Sequence, residues 1–191
     1  MLTTKAVKPE MKEYRRIIEL YERNFPKNER IDTEILTAKA TQVCFPFTAY
    51  YDENRFIGFT FASVTDEAVF LLYFAVAEEL RSRGYGSGIL EKLTADYAPR
   101  RVMLNCEPAD QNADNYEQRL KRLAFYERNG LFDTGYRLLD HGDEYCILST
   151  PALFSESVYR KAVDQLAGER YQYDMIRMIS STGQLCCTLF E

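Results

Sequence analysis

Residues 69–93 read VFLLYFAVAEELRSRGYGSGILEKL, and this stretch decides the fold. An apolar run typical of a buried strand leads into a loop broken by Gly84, Gly86 and Gly88, and a helical pattern follows. Because glycine lacks a Cβ, the backbone of such a loop can approach a ligand closely. The first turn of the following helix offers unpaired N–H groups and the positive end of the helix dipole. The stretch therefore predicts a site for an anion such as a pyrophosphate.

The spacing of the glycines excludes the two best-known phosphate loops. A Walker loop requires Gly-Lys-Ser/Thr where this chain has Gly86-Ser87-Gly88-Ile89, and a dinucleotide loop requires G-x-G-x-x-G where it has G-x-G-x-G. The pattern present is Arg81-x-x-Gly84-x-Gly86, preceded by Phe74-Ala75-Val76. It resembles the acyl-CoA loop of the GNAT superfamily of N-acyltransferases. An ordinary strand-to-helix loop punctuated by glycine is the alternative.

A second motif lies downstream, at the distance that the same family implies. Residues 123–131 read LAFYERNGL, with Tyr126 four residues before Gly130. Gly130 also has a structural explanation, since a glycine after Asn129 is typical of a left-handed helix C-cap. The two motifs in this order resemble a GNAT-type N-acetyltransferase, which transfers the acetyl group of acetyl-CoA to a primary amine by direct attack.

The resemblance implies contacts to acetyl-CoA from the strand, the loop and the first helical turn. Backbone N–H groups of the strand would polarise the thioester carbonyl, and those of the loop would bind the pyrophosphate. No metal site is expected. The expected cofactor-binding residues are Phe74, Ala75, Val76, Arg81, Ser82, Arg83, Gly84, Tyr85, Gly86, Ser87 and Gly88.

The resemblance also implies a general acid, and the residues suggest a base. Tyr126 matches the position of the family's acid for the departing thiolate, although an ordinary tyrosine of the core or rim is the alternative. Glu107 is the first candidate for the base, because it ends a predicted strand and shares a face with Asn105. A solvated carboxylate before Pro108 explains Glu107 equally well. His141, the only histidine, lies in a Gly-Asp turn, where a structural role is expected.

Residues 25–30 follow the first predicted helix, in the region where the family lines its acceptor cleft. Glu29 and Arg30 are the candidate acceptor-binding residues, Glu29 for a cationic amine and Arg30 for a carboxylate, and both also suit a surface loop. The chain departs from the family pattern at Arg119 and Arg122, where Asn and Ala are common. These arginines are either contacts to a CoA phosphate or ordinary basic residues of an exposed helix face.

Composition favours a single cytoplasmic enzyme domain. With 191 residues and 46% hydrophobic content, the chain is long enough for one well-buried core. The net charge of −5 disfavours a nucleic-acid surface. The N-terminus lacks the apolar segment of a signal peptide, and no run approaches the roughly 20 apolar residues that span a bilayer, so no membrane partner is expected. The five cysteines are expected to be reduced thiols.

The order of the predicted elements is α, β-meander, α, β, α, β-hairpin. The predicted fold class is α/β with a mixed α+β sheet: a GNAT-like fold with an antiparallel meander, splayed central parallel strands, flanking helices and a C-terminal extension. We expect helices over residues 14–25, 33–40 and 89–97, strands over 47–51, 55–64, 68–76 and 102–107, a helix capped by Asp114 and Glu117, and a hairpin over 132–149.

Residues 1–150 are predicted to form the GNAT-like domain. Residues 151–191 are predicted to form an extension that packs on the same domain or at a subunit interface, where a homodimer is possible. Within the extension we expect a helix over 155–167 and a hairpin of 171–179 with 184–190.

Two other functions stay open. The chain is alternatively a non-catalytic sensor module that binds acyl-CoA, or a protein-interaction domain whose glycine loop is structural. For an enzyme, the acceptor is expected to be a small-molecule or peptide amine, and the sequence does not distinguish between them.

Overall fold

The computed structural model describes residues 1–150, 154–168 and 173–178. The strands are β1 (Thr3–Ala6), β2 (Phe47–Asp52), β3 (Arg55–Val64), β4 (Ala68–Val76), β5 (Arg101–Cys106), β6 (Phe132–Asp140), β7 (Asp143–Ser149) and β8 (Asp174–Arg177). The helices are α1 (Tyr14–Asn24), α2 (Thr33–Lys39), α3 (Tyr85–Tyr97), α4 (Tyr116–Arg128) and α5 (Glu156–Ala167), with a 3-10 turn at Glu78–Leu80. One mixed sheet has the order β1-β2-β3-β4-β5-β7-β6-β8, which confirms the predicted fold class.

Local sequence patterns explain most of these elements. The apolar stripe that includes Ile17 and Tyr21 faces the core from α1, and the helix ends just before Pro26, which cannot continue it. The β6–β7 hairpin turns on His141 and Gly142, with φ of +49° and +94°. Two left-handed residues are what a two-residue hairpin turn of type I′ requires. The predicted helices and strands of residues 14–149 therefore lie close to the observed ones.

Three local predictions differ from the structure. β1 was not predicted, although it pairs with β2. The capping pair for α4 is wrong, because the N-cap is Asn115, whose side-chain oxygen accepts from Arg119 instead of from the helix backbone. β8 falls within the predicted strand 171–179 but pairs with β6. Its predicted partner, 184–190, lies outside the described residues.

The two central parallel strands diverge along their length. β4 and β5 pair only from Ala68 opposite Arg101 to Phe70 opposite Met103. Beyond that point β4 continues to Val76 beside β3, and β5 continues beside β7. A gap therefore opens between the C-terminal halves of β4 and β5, as the family resemblance implies.

A bulge in β4 changes which side chains face each side of the sheet. Phe61 pairs with Tyr73 and Ala62 pairs with Leu71, so Leu72 is an extra residue on β4. Regular alternation would place Phe70 and Tyr73 on opposite faces. Because of the bulge, both contribute to the same apolar cluster.

The sheet has two covered faces. We call them the α1/α5 face, which α1, α2 and α5 cover, and the α3/α4 face, which α3 and α4 cover. On the α1/α5 face, Tyr159 of α5 packs edge-on against Phe70 with ring centroids 5.6 Å apart. The Gln165 amide donates to Ser63 Oγ at 3.0 Å at the other end of α5. Within the described residues, no helix combines the length and apolarity that crossing a bilayer requires.

Candidate active site

The start of α3 is arranged to receive an anion. Gly84 is the N-cap, with φ of +83°, a left-handed conformation that favours glycine. No side chain caps the helix and no acidic residue lies in its first turn. Gly88 makes the first backbone bond of the helix, to the Gly84 carbonyl at 3.0 Å. The N–H groups of Tyr85, Gly86 and Ser87 precede the intrahelical bonding pattern, so the residues present fit a phosphate group.

Gly86 has a packing role as well. A Cβ placed on it would lie 3.0 Å from Cζ of Phe125 on α4. The Phe125 ring stacks on Phe74 with centroids 6.4 Å apart and planes inclined by 25°. The missing side chain at Gly86 therefore makes room for an aromatic pair, a reason that the loop pattern alone does not reveal.

The remaining loop residues connect the loop to its neighbours or face solvent. Arg81 Nη2 donates to Asn24 Oδ1 of α1 at 2.6 Å. The Tyr85 hydroxyl donates to the last residue of β2 at 2.9 Å. Ser82 and Arg83 are exposed, and Ser82 has a left-handed φ of +61°. The loop is thereby attached to α1 and β2 with its middle open to solvent.

Two of the three candidate carbonyl-binding residues direct their N–H groups toward the gap. The Ala77 N–H donates to the Ile57 carbonyl of β3 at 2.9 Å. Because N–H directions alternate along an extended strand, the Ala75 N–H also points to β3. By the same alternation, the N–H groups of Phe74 and Val76 point to the side where β5 has diverged.

Tyr126 lies half-buried on α4, beside Cys106 of β5. Burial raises the pKa of the Tyr126 phenol, Cys106 raises it further, and the positive charge of Arg122 opposes the rise. The phenol therefore stays protonated at neutral pH and is a hydrogen-bond donor. Burial also raises the pKa of the Cys106 thiol to about 11.

Glu107 is held between two arginines of α4. Its Oε1 lies 2.8 Å from Arg119 Nη2, and its Oε2 lies 2.7 Å from Arg122 Nη1. Both carboxylate oxygens of Glu107 therefore already contact an arginine. This ion-pair cluster anchors α4 to the end of β5 and gives both arginines a partner within the chain. The role of Glu107 as a base stays a prediction.

Glu29, in the loop between α1 and α2, lies close to Glu107 although the two residues are far apart in the sequence. The Tyr145 hydroxyl lies 3.5 Å from Glu29 Oε1. Tyr145 and Asp143 are two residues apart and therefore share one face of β7. The last β5–β7 pair is Cys106 with Cys146, so Tyr145 and Glu107 are the next residues on the two strands. Partial desolvation raises the pKa of Glu29, the charges of Glu107 and Asp143 raise it further, and the hydrogen bond from Tyr145 opposes the rise. Glu29, Glu107 and Asp143 thus form a cluster of carboxylates near the end of β5, which we call the acceptor wall.

Two other candidates are directed elsewhere. Arg30 turns back to α1, where its Nη1 donates to the Glu22 carbonyl at 3.2 Å. Its assignment to an acceptor carboxylate stays a prediction. The His141 side chain is 82% exposed, with Nδ1 2.6 Å from Asp140 Oδ1 at the hairpin tip. The left-handed backbone of His141 gives it a structural role in the turn.

Three residues near the gap escaped prediction. The Tyr73 hydroxyl accepts from the Ile31 N–H at 2.9 Å and donates to the Glu29 carbonyl at 2.8 Å. The other two are Tyr145 and Phe125. A usable signal for Tyr145 was its position two residues after Asp143, which places both on one face of a strand. Nothing in the sequence marks Phe125, because its role depends on the neighbouring helix.

The comparisons with known proteins agree with this geometry. Residues 14–131 match the family model of the acetyltransferase (GNAT) family. No curated protein matches the chain closely enough to count as a relative.

Several solved structures share the fold. A protein from Bacteroides thetaiotaomicron assigned to the GNAT family is 24% identical with a TM-score of 0.69, over 88% of this chain and 98% of that one. A GNAT acetyltransferase from Elizabethkingia anophelis, solved with acetyl-CoA bound, is 13% identical with a TM-score of 0.55, over 78% and 97%. The ribosomal-protein-S18-alanine N-acetyltransferase from Escherichia coli is 16% identical with a TM-score of 0.56, over 81% and 96%.

At these identities the structural likenesses concern the fold. The family match is independent evidence, since it covers both the glycine loop and the tyrosine motif. It also spans more than half of the 191 residues. The chain therefore belongs to the acetyltransferase (GNAT) family.

Proposed function

We propose that this protein binds acetyl-CoA at the loop before α3 and transfers the acetyl group directly to a cationic primary amine. The observation that carries the proposal is the gap between β4 and β5, with an uncapped helix start on one side and the Glu29 carboxylate on the other. An anionic donor and a cationic acceptor are therefore accommodated on opposite sides of one opening.

The donor side is supported by the local charge and backbone. The free N–H groups of Tyr85, Gly86 and Ser87, together with the helix dipole, stabilise a pyrophosphate. Arg81 and Arg83 add positive charge to the loop. A structural neighbour from Elizabethkingia anophelis was solved with acetyl-CoA bound. When bound, acetyl-CoA supplies an acetyl group activated as a thioester.

The strand and α4 stabilise the two charges that develop during transfer. The N–H groups of Phe74 and Val76 are directed to donate to the thioester oxygen, and one preorganised donor of this kind contributes on the order of 3 kcal/mol. The Tyr126 phenol donates a hydrogen bond to the sulfur that leaves as a thiolate. Because its pKa is raised, the phenol stabilises the thiolate without giving up its proton.

The acceptor side requires a group that holds an ammonium and takes its proton. An alkylamine has a pKa near 10.4, so it arrives mostly protonated. Glu29 fits both tasks, since it makes no ion pair among the described residues and its pKa is raised toward the working range of a base. The ammonium gives one proton to Glu29, and the amine nitrogen then bonds to the carbonyl carbon. As the carbon–sulfur bond breaks, the second nitrogen proton passes to the departing CoA thiolate, so the products are the amide and free CoA thiol. Glu107 is the second candidate for the base, placed after Glu29 because both of its carboxylate oxygens already contact arginines of α4.

Direct transfer is favoured over an acyl-enzyme route. The nucleophilic form of cysteine is the thiolate. Among the described residues, Cys106 and Cys146 lie in the cluster beside Tyr126, and burial raises the pKa of both thiols, that of Cys106 to about 11, which leaves very little thiolate at neutral pH. The amine is therefore the better nucleophile in this site once Glu29 has removed its proton.

The identity of the acceptor amine is to be determined by screening a panel of amines. Neighbours of the same fold include the ribosomal-protein-S18-alanine N-acetyltransferase and an aminoglycoside 6'-N-acetyltransferase. Glu29, Asp143 and Glu107 favour amines that carry additional positive charge over neutral or anionic ones. The panel therefore contains putrescine, kanamycin A, a lysine-containing peptide and a peptide beginning with alanine, with glutamate as an anionic control.

The donor site is tested by calorimetric titration of acetyl-CoA into wild type, Ser87→Glu and Ser87→Gln. Ser87 is preferable to Gly86, where any side chain would also press on Phe125. A glutamate in the first turn suits the helix dipole, so Ser87→Glu should fold, but its charge repels a phosphate. We expect Ser87→Glu to lose about 100-fold in affinity and Ser87→Gln to lose little. Thermal unfolding checks that both variants are folded.

Turnover separates the remaining functions. Release of free CoA thiol with a cationic amine of the panel supports the acetyltransferase. Acetyl-CoA binding without turnover on any amine supports the sensor module instead. Folded wild type that does not bind acetyl-CoA would reject the proposal and support the interaction domain.

A further inference from the structure

We infer that the Tyr73 hydroxyl is a positioning group for the acceptor, because it fixes the backbone that carries the Glu29 carboxylate. The inference rests on the proposed function in assigning the acceptor to Glu29. Tyr73 itself does not touch the reacting atoms in this assignment. It acts through Glu29.

The hydroxyl makes two hydrogen bonds that enclose the peptide units around residue 30. It accepts from the Ile31 N–H at 2.9 Å and donates to the Glu29 carbonyl at 2.8 Å. These two bonds use the donor and an acceptor site of one phenol. They connect the loop between α1 and α2 to β4, the strand that also directs N–H groups into the gap. One hydroxyl thus sets the distance between the acceptor loop and the donor strand.

The Tyr73 ring has little freedom to move. Its side chain is 3% exposed. Tyr21 and Phe25 of the α1 region pack edge-on against it, each with ring centroids 4.8 Å away. The Tyr21 hydroxyl donates to the Ile31 carbonyl at 2.9 Å and supports the same loop from α1. A fixed ring makes the hydroxyl a fixed anchor.

The bulge at Leu72 is what brings Tyr73 to this face. Without the extra residue, period-2 alternation would turn Tyr73 toward α3 and α4, away from Glu29. Bulges next to active sites commonly redirect a side chain in this way. The irregularity in β4 therefore has a specific consequence for the acceptor loop.

The pKa of Glu29 reports the position of its carboxylate, because charged groups surround it. The groups that influence the charge of its carboxylate are Tyr145 on β7, Glu107 after β5, Asp143 at the start of β7 and Arg122 on α4. If the loop shifts away from this wall, the carboxylate gains water and loses the repulsion of its acidic neighbours. The pKa of Glu29 then returns toward that of an ordinary glutamate.

The first test needs only the protein. Tyr73→Phe removes the hydroxyl and keeps the ring. Tyr14→Phe is the matched control, because its hydroxyl pairs with Thr37 Oγ1 at 2.8 Å between α1 and α2 and does not bond to residues 29–31. We expect the pKa of Glu29, followed by NMR titration of its side-chain carboxyl carbon, to fall in Tyr73→Phe and not in Tyr14→Phe. An unchanged Glu29 titration in folded Tyr73→Phe would overturn the inference.

The second test is a double-mutant cycle with acetyl-CoA and putrescine. We expect Tyr73→Phe to lower kcat/KM for putrescine about tenfold while the Kd for acetyl-CoA stays the same. In the Glu29→Gln background the same substitution should have less than a twofold effect, since the group it positions is gone. An equal loss in both backgrounds would show that Tyr73 acts independently of Glu29 and would overturn the inference.

Failure of the proposed function and failure of this inference give different results. Absence of turnover with every amine would reject the proposed function, and the Glu29 titration would still decide whether Tyr73 positions the carboxylate. Ile31 amide exchange, measured in the same NMR samples, checks that the bond to Tyr73 is present in wild type and lost in Tyr73→Phe.

Discussion

The two faces of the sheet build their halves of the site in opposite ways. On the α3/α4 face, one continuous segment of the chain supplies the strand end, the loop and the helix start that suit the donor. On the α1/α5 face, the acceptor group depends on distant partners: the Tyr73–Glu29 bond spans 44 residues and the Tyr145–Glu29 contact spans 116. The donor half is therefore encoded locally, and the acceptor half exists only in the folded protein.

The faces also differ in charge. The donor side has no acidic residue in the first turn of α3 and carries Arg81 and Arg83 in the preceding loop. The acceptor side carries Glu29 and Asp143, which make no ion pair in the part of the chain described by the structure, and Glu107, which does. The net charge of −5 therefore does not show that basic residues lie on the donor side and acidic residues on the acceptor side. This arrangement suits an anionic donor and a cationic acceptor.

The largest effect is expected for Gly58→Ala. Gly58 lies on β3 opposite Val76 of β4, and β4 contributes side chains to both faces of the sheet. A Cβ there would lie 2.4 Å from the Ala75 carbonyl oxygen and 3.2 Å from the Val76 Cα. Since both contacts are backbone atoms, β3 and β4 must move apart. We expect the free energy of unfolding to fall by about 3 kcal/mol, measured by urea denaturation. Affinity for acetyl-CoA should fall as well, because the Val76 N–H moves.

Gly88→Ala is the control for that substitution. Its Cβ would meet only Leu2 Cδ1, at 3.4 Å, and Gly88 lies within a helix. Alanine is favoured over glycine there by up to about 1 kcal/mol, so stability should rise or stay the same. Equal destabilisation by both substitutions would mean that the close approach at Gly58 is not the cause.

On the α3/α4 face alone, Tyr126→Phe should lower turnover about 30-fold without changing the Kd for acetyl-CoA. The hydroxyl acts on the departing sulfur, and the aromatic packing with Phe125 remains. Thiol release measures turnover, and calorimetry measures binding. Tyr116→Phe removes a phenol from the other end of α4 and serves as the control. Unchanged turnover in Tyr126→Phe would remove Tyr126 from the mechanism.

Glu107→Gln tests whether Glu107 serves the acceptor or the packing of α4, because Glu107 belongs to the acceptor wall and also pairs with two arginines of α4. We expect a loss of about 1 kcal/mol in the free energy of unfolding as the charge of two partly exposed ion pairs is removed. Turnover should be nearly retained. Glu117→Gln changes an exposed glutamate of α4 and should alter neither property. A loss of turnover on the order of 100-fold in Glu107→Gln would restore Glu107 as the base.

The same contrast explains what sequence reasoning predicted and what it missed. The glycine loop and the Tyr126 motif are short-range patterns, and the diverging strands were expected from the family that these patterns resemble. The structure contains the predicted elements around all three. The predicted α4 cap failed because the N-cap is Asn115, one residue after Asp114, and the Asn115 side-chain oxygen accepts from Arg119 instead of from the helix backbone. Tyr73 escaped because a bulge reverses strand alternation, and bulges leave no mark in an apolar run such as residues 69–76.

The smallest expected effect is on the stability of Glu29→Gln. The pKa of Glu29 is raised in the folded protein, so the folded state binds this proton more tightly than the unfolded chain does. That contribution to stability is fully present below the unfolded pKa, near 4.3, and is lost as pH rises through the folded pKa. Glutamine does not titrate.

The stability of Glu29→Gln relative to wild type should therefore increase between about pH 4 and pH 7, by less than about 1 kcal/mol because the carboxylate is partly exposed. Urea denaturation at both pH values measures the difference. In a Glu107→Gln background the increase should shrink, since the main repelling charge is absent. A relative loss of stability at neutral pH would mean that Glu29 has a stabilising cationic partner, and the acceptor side would then already be neutralised. An increase of the predicted sign means that the folded protein retains an unneutralised carboxylate at the gap, which is the property that a site for a cationic amine requires.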